Sequence, residues 1–135
     1  MKTYIIIISR NFPSTHTNNG LETNFLNAIK NGTKIHTIRK NYLLWSKRFE
    51  KINYGDACIS LRYWSGLPYQ SKMIEVFRFD KSHGIGLQQM VLFNNSNLDD
   101  IAKNDGLSRE YFDEWFKKVD KSEPLAIIHF TNFRY

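Results

Sequence analysis

The spacing of apolar residues divides the first half of the chain into short strands and two helices. A β-branched run predicts a buried strand from Tyr4 to Ser9, and strict alternation predicts another from Ala57 to Trp64. Between them lie two amphipathic stripes at helical spacing, formed by Leu21, Phe25, Ala28 and Ile29 and by Tyr42, Trp45, Phe49 and Ile52. Gly32 follows the first stripe, where a left-handed glycine commonly ends a helix.

The second half of the chain alternates turn residues with further strands and helices. Three more strands are predicted, namely Tyr69–Phe79 after a hairpin at Ser65-Gly66, Ile85–Phe93, and Pro124–Phe130 continued by Thr131 to Tyr135. Two helices precede the last strand: Asn97 or Ser96 is placed to cap the first, and Ser108 the second.

These elements favour an α+β fold. The pattern contains about five or six strands and four helices, but it lacks the regular strand-helix-strand alternation of an open parallel sheet. A chain of 135 residues also suits a single hydrophobic core. We therefore expect one domain over residues 1–135, built as a small mixed β-barrel with the helices at its flanks.

Composition narrows the class of protein. Apolar residues make up 41% of the chain and aromatic residues 15%, which is enough to fill a core. The longest apolar run, Ile5 to Ile8, is too short for a membrane span or a signal peptide, so we expect a cytoplasmic protein without membrane contact. Cys58 is the only cysteine, which excludes an intramolecular disulfide and a cysteine-built zinc site.

The positive charge is concentrated in one segment. From Lys30 to Lys51 there are seven cations and one anion, while the whole chain has a net charge of +6. This segment predicts a polyanionic partner, such as RNA or DNA, or a phosphorylated ligand. Its candidate nucleic-acid contacts are Lys40, Lys47, Arg48 and Lys51. The alternative is a solvated basic face of a helix.

The segment from Asn31 to Arg39 carries the candidate chemistry. In an extended chain Thr37 and Arg39 share one face, while Lys34 lies opposite, near the start of the strand, where a bend could turn it. A lysine becomes a base or nucleophile when burial and neighbouring cations lower its pKa from about 10.4. Arg39 and Lys40 are such cations. The alternative is a solvated Lys and Thr on an ordinary strand.

Other polar and aromatic residues supply secondary candidates. Alternation places Glu75 on the face of Met73 and Phe77, which we expect to point into the barrel. A carboxylate there either takes part in catalysis or forms an ion pair with Arg39 or Arg62. Trp64 and Tyr69 flank the predicted hairpin near Arg62, where they either stack on a base or pack in the core. The four histidines, His16, His36, His83 and His129, lack metal-ligand spacing, so we expect no metal and no other cofactor.

Gly32, Lys34, Thr37 and Arg39 match the pattern G-x-K-x-x-T-x-R. In this the chain resembles the ASCH domain family of the PUA-like superfamily, whose members are barrels thought to bind RNA or modified nucleosides. The resemblance extends to the Gly55-Asp56 turn and the final strand. A closer similarity, which runs on through Trp45, Arg62, Trp64 and Tyr69, is to uncharacterised bacterial and phage-encoded proteins. That group brings no established activity. The ASCH resemblance implies a ligand cleft lined by Lys34, Thr37 and Arg39, with Arg62, Trp64 and Tyr69 as further ligand contacts.

One ASCH branch removes the acetyl group from acetylcytidine with a lysine, a threonine and a glutamate. Lys34 and Thr37 correspond to the first two, and Asp105 is the nearest counterpart of the glutamate, although it is one methylene shorter. The alternative for Asp105 is a turn residue beside Gly106. Three hypotheses follow: a module that binds RNA or a modified nucleoside, an amidohydrolase of acylated nucleosides, and a phage or mobile-element accessory protein that binds another protein through its basic helix.

Overall fold

The computed structural model describes residues 1–135 and contains six strands and four α helices. In chain order they are β1 (Lys2–Ile7), α1 (Phe25–Asn31), β2 (His36–Arg39), α2 (Tyr42–Asn53), β3 (Ala57–Trp64), β4 (Met73–Phe79), β5 (Gly86–Met90), α3 (Leu98–Asn104), α4 (Arg109–Trp115) and β6 (Leu125–His129). One turn of 3₁₀ helix, Lys81–His83, separates β4 from β5. No helix has both the length and the apolar character needed to cross a membrane.

The strands form two three-stranded sheets. In the first, of order β1-β3-β4, β1 runs parallel to β3 and β4 runs antiparallel to it. In the second, of order β2-β6-β5, both pairings are antiparallel. The predicted α+β class and the four helices are confirmed, whereas no strand pairing closes the two sheets into one barrel.

A single apolar core joins the sheets and helices. Leu61 of β3, Leu125 of β6 and Phe112 of α4 are each at most 1% exposed. An aromatic stack continues from Phe79 of β4 to Phe130 beyond β6, with ring centroids 5.7 Å apart. Helix α2 buries its predicted apolar stripe, Trp45, Phe49 and Ile52.

Elements with strong local patterns have the predicted limits. Strand β3 spans the predicted residues, α2 begins at Tyr42 as predicted, and Gly32 ends α1 with a φ of +82°. Ser108 caps α4 by accepting a hydrogen bond from the Tyr111 amide, whereas the Asn97 side chain makes no such bond at the start of α3. The strand predicted from Tyr69 begins only at Met73, because turns occupy the residues before it.

A bulge in the β3–β4 pairing corrects the predicted orientation of Glu75. Leu61 pairs with Phe77, but the next residue of β3, Arg62, pairs with Glu75, so β4 contributes one extra residue. An extra residue reverses the alternation of side chains beyond it. Phe77 therefore shares the face of Leu61, whereas Glu75 lies on the opposite, outer face beside Arg62.

Candidate functional site

Lys34 is enclosed by the protein as soon as α1 ends. The amides of Thr33 and Lys34 both donate to the Ala28 carbonyl, which turns the chain sharply inward after Gly32. The Lys34 side chain is buried, at 3% residue exposure, and its ammonium lies 4.3 Å from the centre of the Phe25 ring. This contact leaves the ammonium with little access to water.

Asp105 supplies both hydrogen-bond acceptors of that ammonium. Lys34 Nζ donates to Asp105 Oδ1 at 2.9 Å and to the Asp105 carbonyl oxygen at 2.7 Å. Asp105 follows α3, is 5% exposed, and its own amide donates to the Ile101 carbonyl. Two of the three predicted catalytic residues, 71 positions apart in the chain, are thus in direct contact.

His36 and Tyr135 extend this cluster toward the end of the chain. His36 Nδ1 lies 3.3 Å from Asp105 Oδ1, and His36 Nε2 lies 2.5 Å from the Tyr135 hydroxyl, which also accepts from Asn104 Nδ2 at 3.1 Å. One arrangement of protons satisfies every contact: Asn104 donates to Tyr135, Tyr135 to His36, and His36 to Asp105. The hydrogen bonds therefore all point toward the carboxylate.

The charges of the cluster are mutually dependent. Burial lowers the pKa of Lys34, with Arg39 acting in the same direction and Asp105 opposing it. Burial acts to raise the pKa of Asp105, but the charge of Lys34 and the hydrogen bond from His36 outweigh it and lower the pKa. Burial raises the pKa of Tyr135 to about 12, so its phenol keeps the proton that it donates to His36. Asp105 is the charged acceptor on which the network ends.

Thr37 and Arg39 lie outside this hydrogen-bonded cluster. Alternation along β2 directs them to the face opposite His36, as the sequence predicts. Thr37 is 5% exposed, and Arg39 donates to the Ile7 carbonyl oxygen at 2.7 Å, which fastens β2 to β1. Both hydrogen bonds of the Lys34 ammonium go to Asp105 and neither to Thr37.

The runner-up carboxylate belongs to a separate polar network on the outer face of the first sheet. Glu75 accepts from Ser60 Oγ at 2.5 Å and pairs with Arg78 at 2.9 Å. Arg62 donates to the same Ser60 hydroxyl at 2.9 Å. Glu75 thus forms its ion pair with Arg78 and not with Arg39 or Arg62, the two partners that the sequence predicted. Arg62 lies beside this pair on the outer face of the sheet.

Trp64 and Tyr69 line a surface cleft of about 790 Å³. One wall is the hairpin after β3, where the Trp64 and Tyr69 ring centroids are 5.1 Å apart. The other wall is the loop after β1, which contributes Arg10, Phe12 and Glu22. The two aromatic residues were predicted from the sequence, whereas Arg10 was not, because it lies in a loop without periodicity.

A second depression, of about 650 Å³, is the basic groove between β1 and α2. Its charged lining is Lys2, Lys47, Arg48 and Lys51, with no acidic residue. The Arg48 guanidinium lies 5.0 Å from the centre of the Tyr4 ring and 4.6 Å from that of Trp45. Three of these cations were predicted, Lys2 was not, and Lys40 is exposed outside the groove.

No family model, curated protein or solved structure matches the chain. The enclosed cluster, the cleft and the basic groove are therefore the basis for assigning a function. No group of three or more histidine, cysteine or acidic side chains is arranged to hold a metal ion.

The Lys34–Asp105 contact predicts a large energetic coupling between the two residues. Lys34→Met should lower the free energy of unfolding by about 3–5 kcal/mol, because it leaves a buried carboxylate without its cation. The double variant Lys34→Met/Asp105→Leu should lose much less free energy of unfolding than the sum of the losses in Lys34→Met and Asp105→Leu. Urea unfolding of the two single variants and the double variant measures these losses. Lys30→Met, at an exposed position on α1, is the matched control. Additive single effects would contradict a coupled pair.

His129 predicts a loss of stability in mild acid. It is fully buried, its Nε2 donates to Gln88 Oε1, and its Nδ1 has no partner. Burial, with His36 and Arg134, lowers its pKa to about 3. A histidine in the unfolded chain has a pKa near 6.5. Below about pH 6.5 the unfolded chain therefore binds a proton at this position and the folded chain does not, so the free energy of unfolding decreases.

The urea midpoint should therefore decrease from about pH 6.5 to about pH 4, and His129→Gln should flatten that decrease. His83→Gln, at an exposed histidine, should leave the pH dependence unchanged. An equally steep decrease in His129→Gln would assign the acid sensitivity to other groups.

Proposed function

We propose that this protein binds RNA or a modified nucleoside, with the phosphate backbone held in the basic groove between β1 and α2. One observation carries the proposal: four cations, Lys2, Lys47, Arg48 and Lys51, line the groove and no acid neutralises them. Lysine and arginine side chains that neutralise phosphates release condensed counterions, which is the main source of affinity for nucleic acid.

The groove differs from an ordinary solvated face of a helix in two respects. Lys2 comes from β1 rather than from α2, so cations approach the depression from both walls. The Arg48 guanidinium also lies over the Tyr4 and Trp45 rings, and these contacts reduce the conformational entropy that it would lose on binding a phosphate. These features favour a surface that binds a ligand over a basic helix face that is only solvated.

The resemblance to the ASCH family supports the same proposal. Lys34 corresponds to the catalytic lysine of one ASCH branch, and Asp105 is the nearest counterpart of that branch's glutamate; the two lie in contact although they are distant in the chain. The two sheets and four helices are compatible with a PUA-like domain, which we propose as the fold family.

RNA binding should weaken steeply as salt rises, and the exposed groove lysines should set that dependence. Lys47→Glu combined with Lys51→Glu should lower the affinity for labelled RNA and reduce its salt dependence. Lys103→Glu combined with Lys118→Glu makes the same charge change at exposed lysines outside the groove and should have a smaller effect. Fluorescence anisotropy at two salt concentrations measures both. Salt-independent binding, or none at low salt, would remove nucleic acid as the partner and favour a protein partner for the basic helix.

The Lys34–Asp105 contact also favours a second candidate function, hydrolysis of the amide of an acylated nucleoside such as acetylcytidine. In this mechanism Lys34, in its neutral form, accepts the proton of the attacking Thr37 hydroxyl or water and passes it to the leaving nitrogen of the nucleoside, while Asp105 orients Lys34. Where Thr37 attacks, a water then hydrolyses the acyl-threonine and releases acetate. Because Lys34, Thr37 and Asp105 are all buried, the site must open before a substrate can reach them.

If the hydrolase proposal is right, the purified protein should release cytidine and acetate from acetylcytidine. Thr37→Ala and Asp105→Asn should lower the rate by about a hundredfold or more, since each removes a group that acts on the reacting atoms or on Lys34. Glu75→Gln, on the outer face of the first sheet, should leave the rate unchanged. Chromatographic detection of cytidine measures the turnover, and no turnover by the wild type on a panel of acylated nucleosides would exclude this function.

A further inference from the structure

Strand β1 connects the basic groove to the aromatic cleft. Residues 2–5 line the groove, and Ile7 and Ile8 line the cleft, with only the buried Ile6 between them. The two depressions therefore follow one another along the strand. At about 3.3 Å per residue, the path from Lys2 to Ile8 is about 20 Å long. An extended ligand of a few units is long enough to occupy both.

The two depressions differ in charge. The charged residues of the groove are all cations, which suits phosphates. The cleft has one cation, Arg10, and one anion, Glu22. A balanced cleft with aromatic walls favours an uncharged planar group over a phosphate. The carboxylate of Glu22 is also an acceptor that the exocyclic N–H groups of a nucleobase can use.

Tyr69 is the most accessible aromatic side chain of the cleft. It is 89% exposed, so core packing does not explain its position, and its ring lies next to that of Trp64. Its φ of +62° is uncommon for a residue with a bulky side chain. Strained backbone of this kind recurs at ligand-binding sites. Across the cleft, the Arg10 guanidinium lies 5.3 Å from the centre of the Tyr63 ring.

We infer that the ligand is a single-stranded nucleic acid, with phosphates in the basic groove and one unstacked base in the cleft against Tyr69 and Trp64. This inference rests on the proposed nucleic-acid binding. A base in a duplex has both faces covered by its neighbours, so only an unpaired strand presents a face to Tyr69. RNA and DNA single strands share this chemistry, and the experiment compares them.

The test measures the affinity of the protein for labelled single-stranded RNA, single-stranded DNA and duplex RNA of equal length. Tyr69→Ala should weaken binding of the preferred single strand by about 5- to 150-fold, the range expected for one lost base stack. Tyr69→Phe keeps the ring and should retain the affinity. Neither change removes a cation, so the salt dependence should stay as in the wild type.

Different outcomes separate the two proposals. Tighter binding of either single strand than of the duplex, together with the loss in Tyr69→Ala, supports the inference. Salt-dependent binding that is equal for the duplex and the single strands, or insensitive to Tyr69→Ala, overturns the inference and leaves the basic groove as the binding site. Binding to none of the three overturns both. Because Tyr69 is exposed, an unchanged thermal midpoint in Tyr69→Ala is expected and shows that any loss is local.

Discussion

The buried ion pair between Lys34 and Asp105 is the constraint on which this part of the molecule depends. Removing two charges from water costs several kcal/mol per ion, and their attraction offsets that cost only with good geometry and additional hydrogen bonds. Here the ammonium has two oxygen acceptors, and the carboxylate accepts from both Lys34 and His36. The end of α1, the start of β2 and the end of α3 must therefore keep their relative positions.

The hydrogen bonds around this ion pair also fix the position of Tyr135. His36 is oriented by Tyr135, whose hydroxyl is fixed by Asn104 of α3. The Tyr135 backbone is anchored separately, since its amide donates to Gln88 of β5. These side chains fasten the second sheet to α3, together with the backbone hydrogen bond from the Ile35 amide to the Asn104 carbonyl. A network in which every buried polar group has a hydrogen-bond partner makes such a junction rigid.

The positive charge of the chain has two distinct uses. Lys34 is enclosed, and its charge is neutralised within the fold by Asp105. Lys47 and Lys51 are exposed on α2 and have no acidic partner in the groove. An enclosed cation stabilises the domain and reacts only if the site opens, whereas exposed cations attract polyanions at any time. For this reason we propose binding before catalysis.

By itself the sequence determined the local elements and identified two members of the buried cluster, Lys34 and Asp105. Several local features depend only on spacings within a few residues, which can be read directly from a sequence. These are the limits of β3, the start and apolar stripe of α2, the left-handed Gly32 and the Ser108 cap. Lys34 was identified as a candidate from its own segment, and Asp105 from the resemblance to one ASCH branch. Only the tertiary structure decided what these residues contact. The bulge opposite Leu61 moved Glu75 to the outer face, and the fold brought Lys2 to α2 and Tyr135 to His36. Such pairings join residues far apart in the chain, and their free energy depends on burial and charge that no local pattern contains.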